Sequence, residues 1–96
     1  MIIKTSFSGV GLPHFDGTCR DGSGDWDQIK DFVTDSVFKC KEECSATREC
    51  TAFSYHEGTL TICNLYRNGP YTSGDGRKNT TCYIMPGRMF FIIYIL

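Results

Sequence analysis

The chemistry most visible in this chain of 96 residues belongs to six cysteines, Cys19, Cys40, Cys44, Cys50, Cys63 and Cys82. Thiols at such spacings serve three ends: disulfides, a zinc site, or a nucleophile activated by histidine. Structural zinc sites favour short C-x2-4-C knuckles joined by a second ligand pair. Only Cys40 and Cys44 approach that pattern, and neither His14 nor His56 stands at knuckle spacing from another ligand. A Cys–His nucleophile needs a free thiol of lowered pKa beside the imidazole, and six bridged cysteines leave none. No G-x-S-x-G, H-E-x-x-H or phosphate-binding loop is present. The reading is therefore three disulfides, with no catalytic residue, no metal and no cofactor expected.

Composition agrees. A chain this short forms one domain at most, and a core of that size is marginal without staples. An even number of cysteines in a short chain is the profile of an extracellular module. The formal net charge of -1, with both signs interspersed, gives no basic excess for nucleic acid, so none is expected as a partner. Met1-Ile2-Ile3-Lys4-Thr5-Ser6 has no sustained apolar run, so no signal peptide is visible. An incomplete start, or excision from a larger secreted chain, reconciles this with oxidised cysteines.

The elements that must position the cysteines follow from local pattern. Residues 1–14 carry Gly, Ser and Pro without periodicity and read as a poorly ordered leader. A short strand is expected around Gly17–Arg20, then a turn over Asp21–Asp25. Trp26 to Phe32 reads as another strand, with Trp26, Ile29 and Phe32 its apolar members. Thr34-Asp35-Ser36 supplies helix-capping residues ahead of Val37. On that helix Val37, Cys40 and Cys44, joined by Phe38 or Ala46, make one inward stripe. Lys39, Lys41, Glu42 and Glu43 take the solvated side, with Lys39 and Glu43 an i, i+4 pair.

The helix should stop before Cys50, where Thr51–Tyr55 begins a strand. His56–Thr59 reads as a hairpin turn. Leu60 to Tyr66 then alternates, with Leu60 and Ile62 on one face and Thr61, Cys63 and Leu65 on the other. Asn68 to Asn79 is a polar, glycine-rich loop, and Thr80–Met85 a last strand ended by Pro86-Gly87. One helix lying across a small antiparallel sheet makes a disulfide-rich α+β domain. The apolar tail, residues 87–96, is far short of the roughly 20 residues that span a bilayer. Only as a truncated anchor would it imply membrane contact.

Six cysteines allow fifteen pairings, and spacing alone selects none. Geometry narrows them, because a bridge requires Cα atoms within about 7 Å and converging side chains. Cys40 and Cys44 lean the same way along the helix, so each bonds outward. Cys50, just past the helix exit, is the natural partner of Cys44. Cys63 then comes within reach of Cys40, which leaves Cys19 and Cys82.

C-x3-C-x5-C followed by Ala52-Phe53-Ser54-Tyr55 and then by Cys63-Asn64-Leu65-Tyr66 resembles the PAN/apple domain family. The resemblance covers residues 15–86. It implies the pairs Cys19–Cys82, Cys40–Cys63 and Cys44–Cys50, and a curved antiparallel sheet of about five strands cradling one α-helix. It also implies a secreted protein or an ectodomain, and a non-catalytic module mediating protein–protein or protein–carbohydrate contact. The alternative is an accessory docking domain cut from a larger secreted enzyme such as a protease.

The resemblance carries over no ligand-binding residue, so candidates come from side-chain chemistry. Trp26, Tyr66, Tyr71 and Tyr83 pair a ring with a polar tip, which suits sugars and protein partners. The plainer use of Trp26 and Tyr66 is to cover the core of a thin domain. Arg67, Arg77 and Lys78 flank one loop and could engage a sulfated sugar; a solvated surface is the plainer use of them. On this reading Tyr71→Ala leaves thermal stability nearly unchanged. Asn79-Thr80-Thr81 is an N-glycosylation sequon, making Asn79 a modification candidate.

Overall fold

The computed structural model describes residues 10–89. Its elements are β1 (His14–Asp16), β2 (Cys19–Asp21), β3 (Gln28–Val33), α1 (Val37–Ala46), β4 (Cys50–His56), β5 (Ile62–Arg67), β6 (Tyr71–Gly74), β7 (Thr80–Ile84) and the single turn α2 (Pro86–Met89). Five strands form an antiparallel sheet in the order β1-β7-β4-β5-β3, and β2 pairs with β6 in a separate ribbon. The domain is thus one helix packed on a five-stranded sheet, with a second small sheet.

Strand alternation sorts the core into two layers. Phe53, Cys63, Leu65 and Tyr83 face α1 and meet Cys40, Cys44, Cys50 and Val10 there. Phe53 and Tyr83 stack with ring centroids 5.1 Å apart. On the opposite face Ala52, Tyr66, Cys82 and Ile84 meet Cys19 and Tyr71 of the ribbon. Cys50 and Ala52 stand two apart yet belong to different layers. The register shift between them in the β4–β5 ladder turns the strand over at that point.

A second irregularity, between Gln28 and Lys30 of β3, lets Ile29 and Phe32 pack on the same layer three residues apart. The strand runs over Gln28–Val33 instead of Trp26–Phe32, and Trp26 lies ahead of it, exposed. Leu60 likewise precedes β5 and is exposed.

Ser36 caps α1, its hydroxyl accepting from the Phe38 N–H at 3.1 Å. Thr47 ends the helix, its extended backbone and hydroxyl turned back onto the Glu43 and Cys44 carbonyls. Only Cys40 and Cys44 of α1 are fully buried. Phe38 and Ala46 are exposed, so the inward stripe is Val37, Cys40 and Cys44. The expected Lys39–Glu43 pair is replaced by two others: Lys39 meets Asp35 at 3.3 Å and Glu43 meets Lys30 of β3 at 2.8 Å. Both pairs are exposed and contribute little.

Residues 1–9 of the leader and 90–96 of the apolar tail lie outside the described residues. Val10 is buried against α1, where Lys41 donates to its carbonyl, and His14 opens β1. The loop over Asn68–Asn79 contains β6, a strand the glycine content hides.

Candidate functional site

Three disulfides join the layers. Cys40–Cys63 and Cys44–Cys50 tie α1 to β5 and β4, and Cys19–Cys82 ties the ribbon to β7. These are the pairs that cysteine geometry favours. All six thiols are consumed, which leaves no thiolate for metal or nucleophilic chemistry. Among the described residues no cluster of His, Cys, Asp and Glu is arranged to hold a metal ion. Nor is any described helix long and apolar enough to cross a membrane.

The functional surface has to be sought where a reactive side chain is both presented and held. The loop from β2 to β3 does this for Trp26. Asp21 organises it: its carboxylate accepts from the Ser23 and Asp25 N–H groups at 2.8 and 2.9 Å, and its own N–H donates to the Asp25 carbonyl. Such Asx-type bonding replaces the ladder where the chain must turn. The loop exits into Trp26, whose residue is 53% exposed. The Arg20 guanidinium lies over its ring, 4.0 Å from the centroid. Arg20 is fixed in turn by bonds to the Cys19 carbonyl at 2.8 Å and to Asp75 at 3.1 Å.

Asp75 is the hub of that anchor. Its carboxylate accepts from the Thr18 hydroxyl, from the Thr18 N–H at 2.8 Å and from the Arg77 N–H at 3.0 Å. Burial by itself would raise the Asp75 pKa. The hydrogen bonds from Thr18 and Arg77 and the charge of Arg20 outweigh it and hold the carboxyl below its ordinary value. Gly17 makes this approach possible: at φ +99° a Cβ there would run into the Asp75 carboxylate and the backbone of Gly76 and Arg77.

On the other flank of Trp26, Asp27 is held by both its carboxylate and its carbonyl. Its carboxylate accepts from Arg67 Nε at 3.2 Å and from Asn68 Nδ2 at 2.6 Å, and its carbonyl from the Arg67 N–H at 2.9 Å. The result is an exposed indole with a cation lying over its ring, followed in the chain by Asp27, which Arg67 and Asn68 hold in place. Arg20 and Arg67 both have carboxylate partners, Asp75 and Asp27.

A family model for the PAN domain matches residues 16–88. The chain belongs to the PAN domain family. PAN domains are in general non-catalytic modules that bind protein or carbohydrate, and in disulfide-bonded form are typical of extracellular proteins and ectodomains. No curated protein and no solved structure matches this chain.

Within this PAN domain the sequence candidates separate. Tyr66 and Tyr71 are each 2% exposed and offer a ligand no surface. Their rings meet at 5.5 Å between sheet and ribbon. The Tyr66 hydroxyl pairs with Ser54 at 2.9 Å, while the Tyr71 hydroxyl donates to the Arg67 carbonyl at 2.6 Å and accepts from the Asp27 N–H at 3.0 Å. Burial pushes both phenols above their ordinary pKa. Tyr71 is therefore a supporting post under the Trp26 loop, which removes the basis for a stability-neutral Tyr71→Ala. Tyr83 is also buried.

The three cations are not brought together. Arg67 stands opposite Cys50 at one end of β4, whereas Arg77 and Lys78 precede Thr80, which stands opposite His56 at the other. Arg20, Asp27, Asn68 and Asp75, which hold Trp26 and its loop, are not among the binding candidates that side-chain chemistry singles out in the sequence. Asp21-Gly22-Ser23-Gly24-Asp25 was the one local signal of an ordered loop there.

Away from Trp26, an open groove of about 670 Å³ is lined by Phe32, Val33, Asp35, Lys39, Glu43 and Leu60 among others. Its Lys39 is paired with Asp35 and its Glu43 with Lys30. Phe32 there has the Lys30 ammonium over its ring at 5.8 Å, a looser contact than Arg20 makes with Trp26 at 4.0 Å.

Proposed function

We propose that this chain is an extracellular, non-catalytic binding module that takes carbohydrate on the Trp26 surface. The observation that carries the reading is the indole held under Arg20 on a residue that stays 53% exposed. A rigid aromatic ring with polar groups at its edge suits the apolar face and hydroxyls of a pyranose. Because Arg20 and Arg67 are already paired with Asp75 and Asp27, a neutral sugar fits this surface better than a sulfated one. Little side-chain freedom remains to be lost on binding, which favours affinity.

The test is a glycan array carrying neutral and sulfated saccharides, probed with the wild-type protein and with Trp26→Ala. Binding to neutral saccharides that falls at least tenfold in Trp26→Ala, with melting unchanged, is the expected result. Equal binding by the two proteins sinks the reading. So does capture of sulfated saccharides alone, or of a protein partner with no saccharide bound, the latter returning the module to a docking role.

A further inference from the structure

We propose that Asn79 carries an N-linked glycan, so that the domain is sheathed at one end of its sheet and binds at the other. The site has more than the sequon behind it. Asn79 is exposed at the turn into β7, and its backbone adopts φ +58°, a left-handed conformation that asparagine tolerates better than most residues. Its carbonyl accepts from the Glu57 N–H at 2.8 Å, which pins the main chain. Its carboxamide makes no hydrogen bond among the described residues, so nothing in the fold competes for the nitrogen that would be modified.

The rest of the tripeptide is well placed. Thr80 is buried, its hydroxyl bonded to His56 Nδ1 at 2.7 Å and to the Lys78 carbonyl at 3.0 Å. Thr81, whose hydroxyl the sequon requires, enters β7 opposite Tyr55 and Asp16 and is only half-buried. In the transfer, the Asn79 amide nitrogen forms a bond to the anomeric carbon of an oligosaccharide carried on a lipid pyrophosphate. The bond from that carbon to phosphate oxygen breaks, the lipid pyrophosphate leaves with the electron pair, and the amide gives up one proton. No oxidant or reductant is involved.

The glycan's position has a consequence for binding. Its nearest exposed neighbours are Arg77, Lys78 and Glu57, which it would cover. Thr80 and Arg67 mark opposite ends of β4, six residue steps or about 20 Å apart. Trp26 is joined to the Arg67 end through Asp27, while its Arg20 brace runs to Asp75, two residues before Arg77, so the glycan borders the brace and leaves the Asp27 side open.

The inference rests on the extracellular reading, and its test is separable from the binding test. The full chain is secreted from a eukaryotic host behind a cleavable signal, and its intact mass and disulfide map are measured before and after peptide-N-glycosidase. A glycan mass lost on treatment, with Asn79 converted to Asp in the peptide map, is the expected result. That increment should vanish in Asn79→Asp, which keeps a residue tolerant of positive φ, and in Thr81→Ala, and persist in Thr81→Ser. Secreted, fully bridged protein with an unmodified Asn79 overturns the proposal while leaving the Trp26 reading intact. A glycosylated protein that binds no saccharide does the reverse. Glycosylated protein whose array binding rises markedly once the glycan is removed would show that the sheath reaches the binding surface, overturning the two-ended arrangement.

Discussion

Truncating Tyr71 should unfold much of this domain, and shaving only its hydroxyl should measurably weaken it. The ring is 2% exposed, packed on Tyr66, and its hydroxyl bridges the Arg67 carbonyl and the Asp27 N–H. Tyr71→Ala leaves a cavity between sheet and ribbon, and loss of a buried aromatic side chain costs about 3–5 kcal/mol. Small domains hold a net stability of only roughly 5 kcal/mol at the low end. Tyr71→Phe keeps the ring but leaves the Asp27 N–H without its partner, a loss of about 1–3 kcal/mol. For a domain of this size each kcal/mol moves the melting temperature by about 4–8 °C. Near-ultraviolet circular dichroism under non-reducing conditions reads both variants. Tyr71→Phe should melt several degrees below wild type, and Tyr71→Ala should be largely unfolded at ambient temperature. A Tyr71→Ala protein melting within two or three degrees of wild type, on the order of 0.5 kcal/mol, would refute the role assigned to this side chain.

The staples, the acid side and the platform give further tests. Cys40→Ser should abolish folding in oxidising expression, since α1 buries little besides its two cysteines; closing its 23-residue separation is worth about 3 kcal/mol in the loop-entropy model. Secretion yield and amide dispersion check this, and a native-like spectrum would contradict it. Asp75 is bound more tightly as the carboxylate in the fold than in the open chain, so its contribution is complete above about pH 4 and disappears as the pH falls through its depressed value. Melting temperature should fall as the pH drops below about 4, less steeply in Asp75→Asn. Tyr66 and Tyr71 have the opposite sign: their raised pKa values stabilise the fold up to about pH 10, and that support is lost above it. An alkaline titration followed by tyrosinate absorbance should show those phenols ionising together with unfolding. Gly17→Ala should destabilise through both its positive φ and its collision with Asp75, seen as a lowered denaturant midpoint.

The helix and the central strands were legible because short-range signals agree there. Ser36 caps, Val37, Cys40 and Cys44 share a stripe, and Thr51–Tyr55 is apolar and β-prone, so propensity and pattern point the same way. β6 was not legible. Tyr71-Thr72-Ser73-Gly74 offers one large apolar residue among turn formers, and its strand character comes from pairing with β2 some fifty residues earlier. The same distance hides the fate of the tyrosines. Tyr66 and Tyr71 have the chemistry of a contact surface, and only the ribbon folding across the sheet makes them interior. Trp26 could be named as a candidate, yet its brace could not. Arg20 is a strand residue beside a cysteine, and nothing local announces that its guanidinium will lie across a ring six positions on. The ion pair expected within the helix failed for a related reason: Lys30, on a neighbouring strand, reaches Glu43.

The placement of the Cys19–Cys82 bond also determines how this molecule responds to tension. The described chain enters through β1 and leaves through β7, two antiparallel neighbours whose outer residues, His14 and Tyr83, lie side by side. A pull on both flanks therefore unzips this pair one rung at a time, a low-force geometry. It then meets a covalent stop. Everything in the 63-residue interval closed by that bond, including α1 and the other two bridges, is out of the load path. A stretched molecule gives up β1 and the last residues of β7, Ile84 among them, while β2 through β6 carry none of the load.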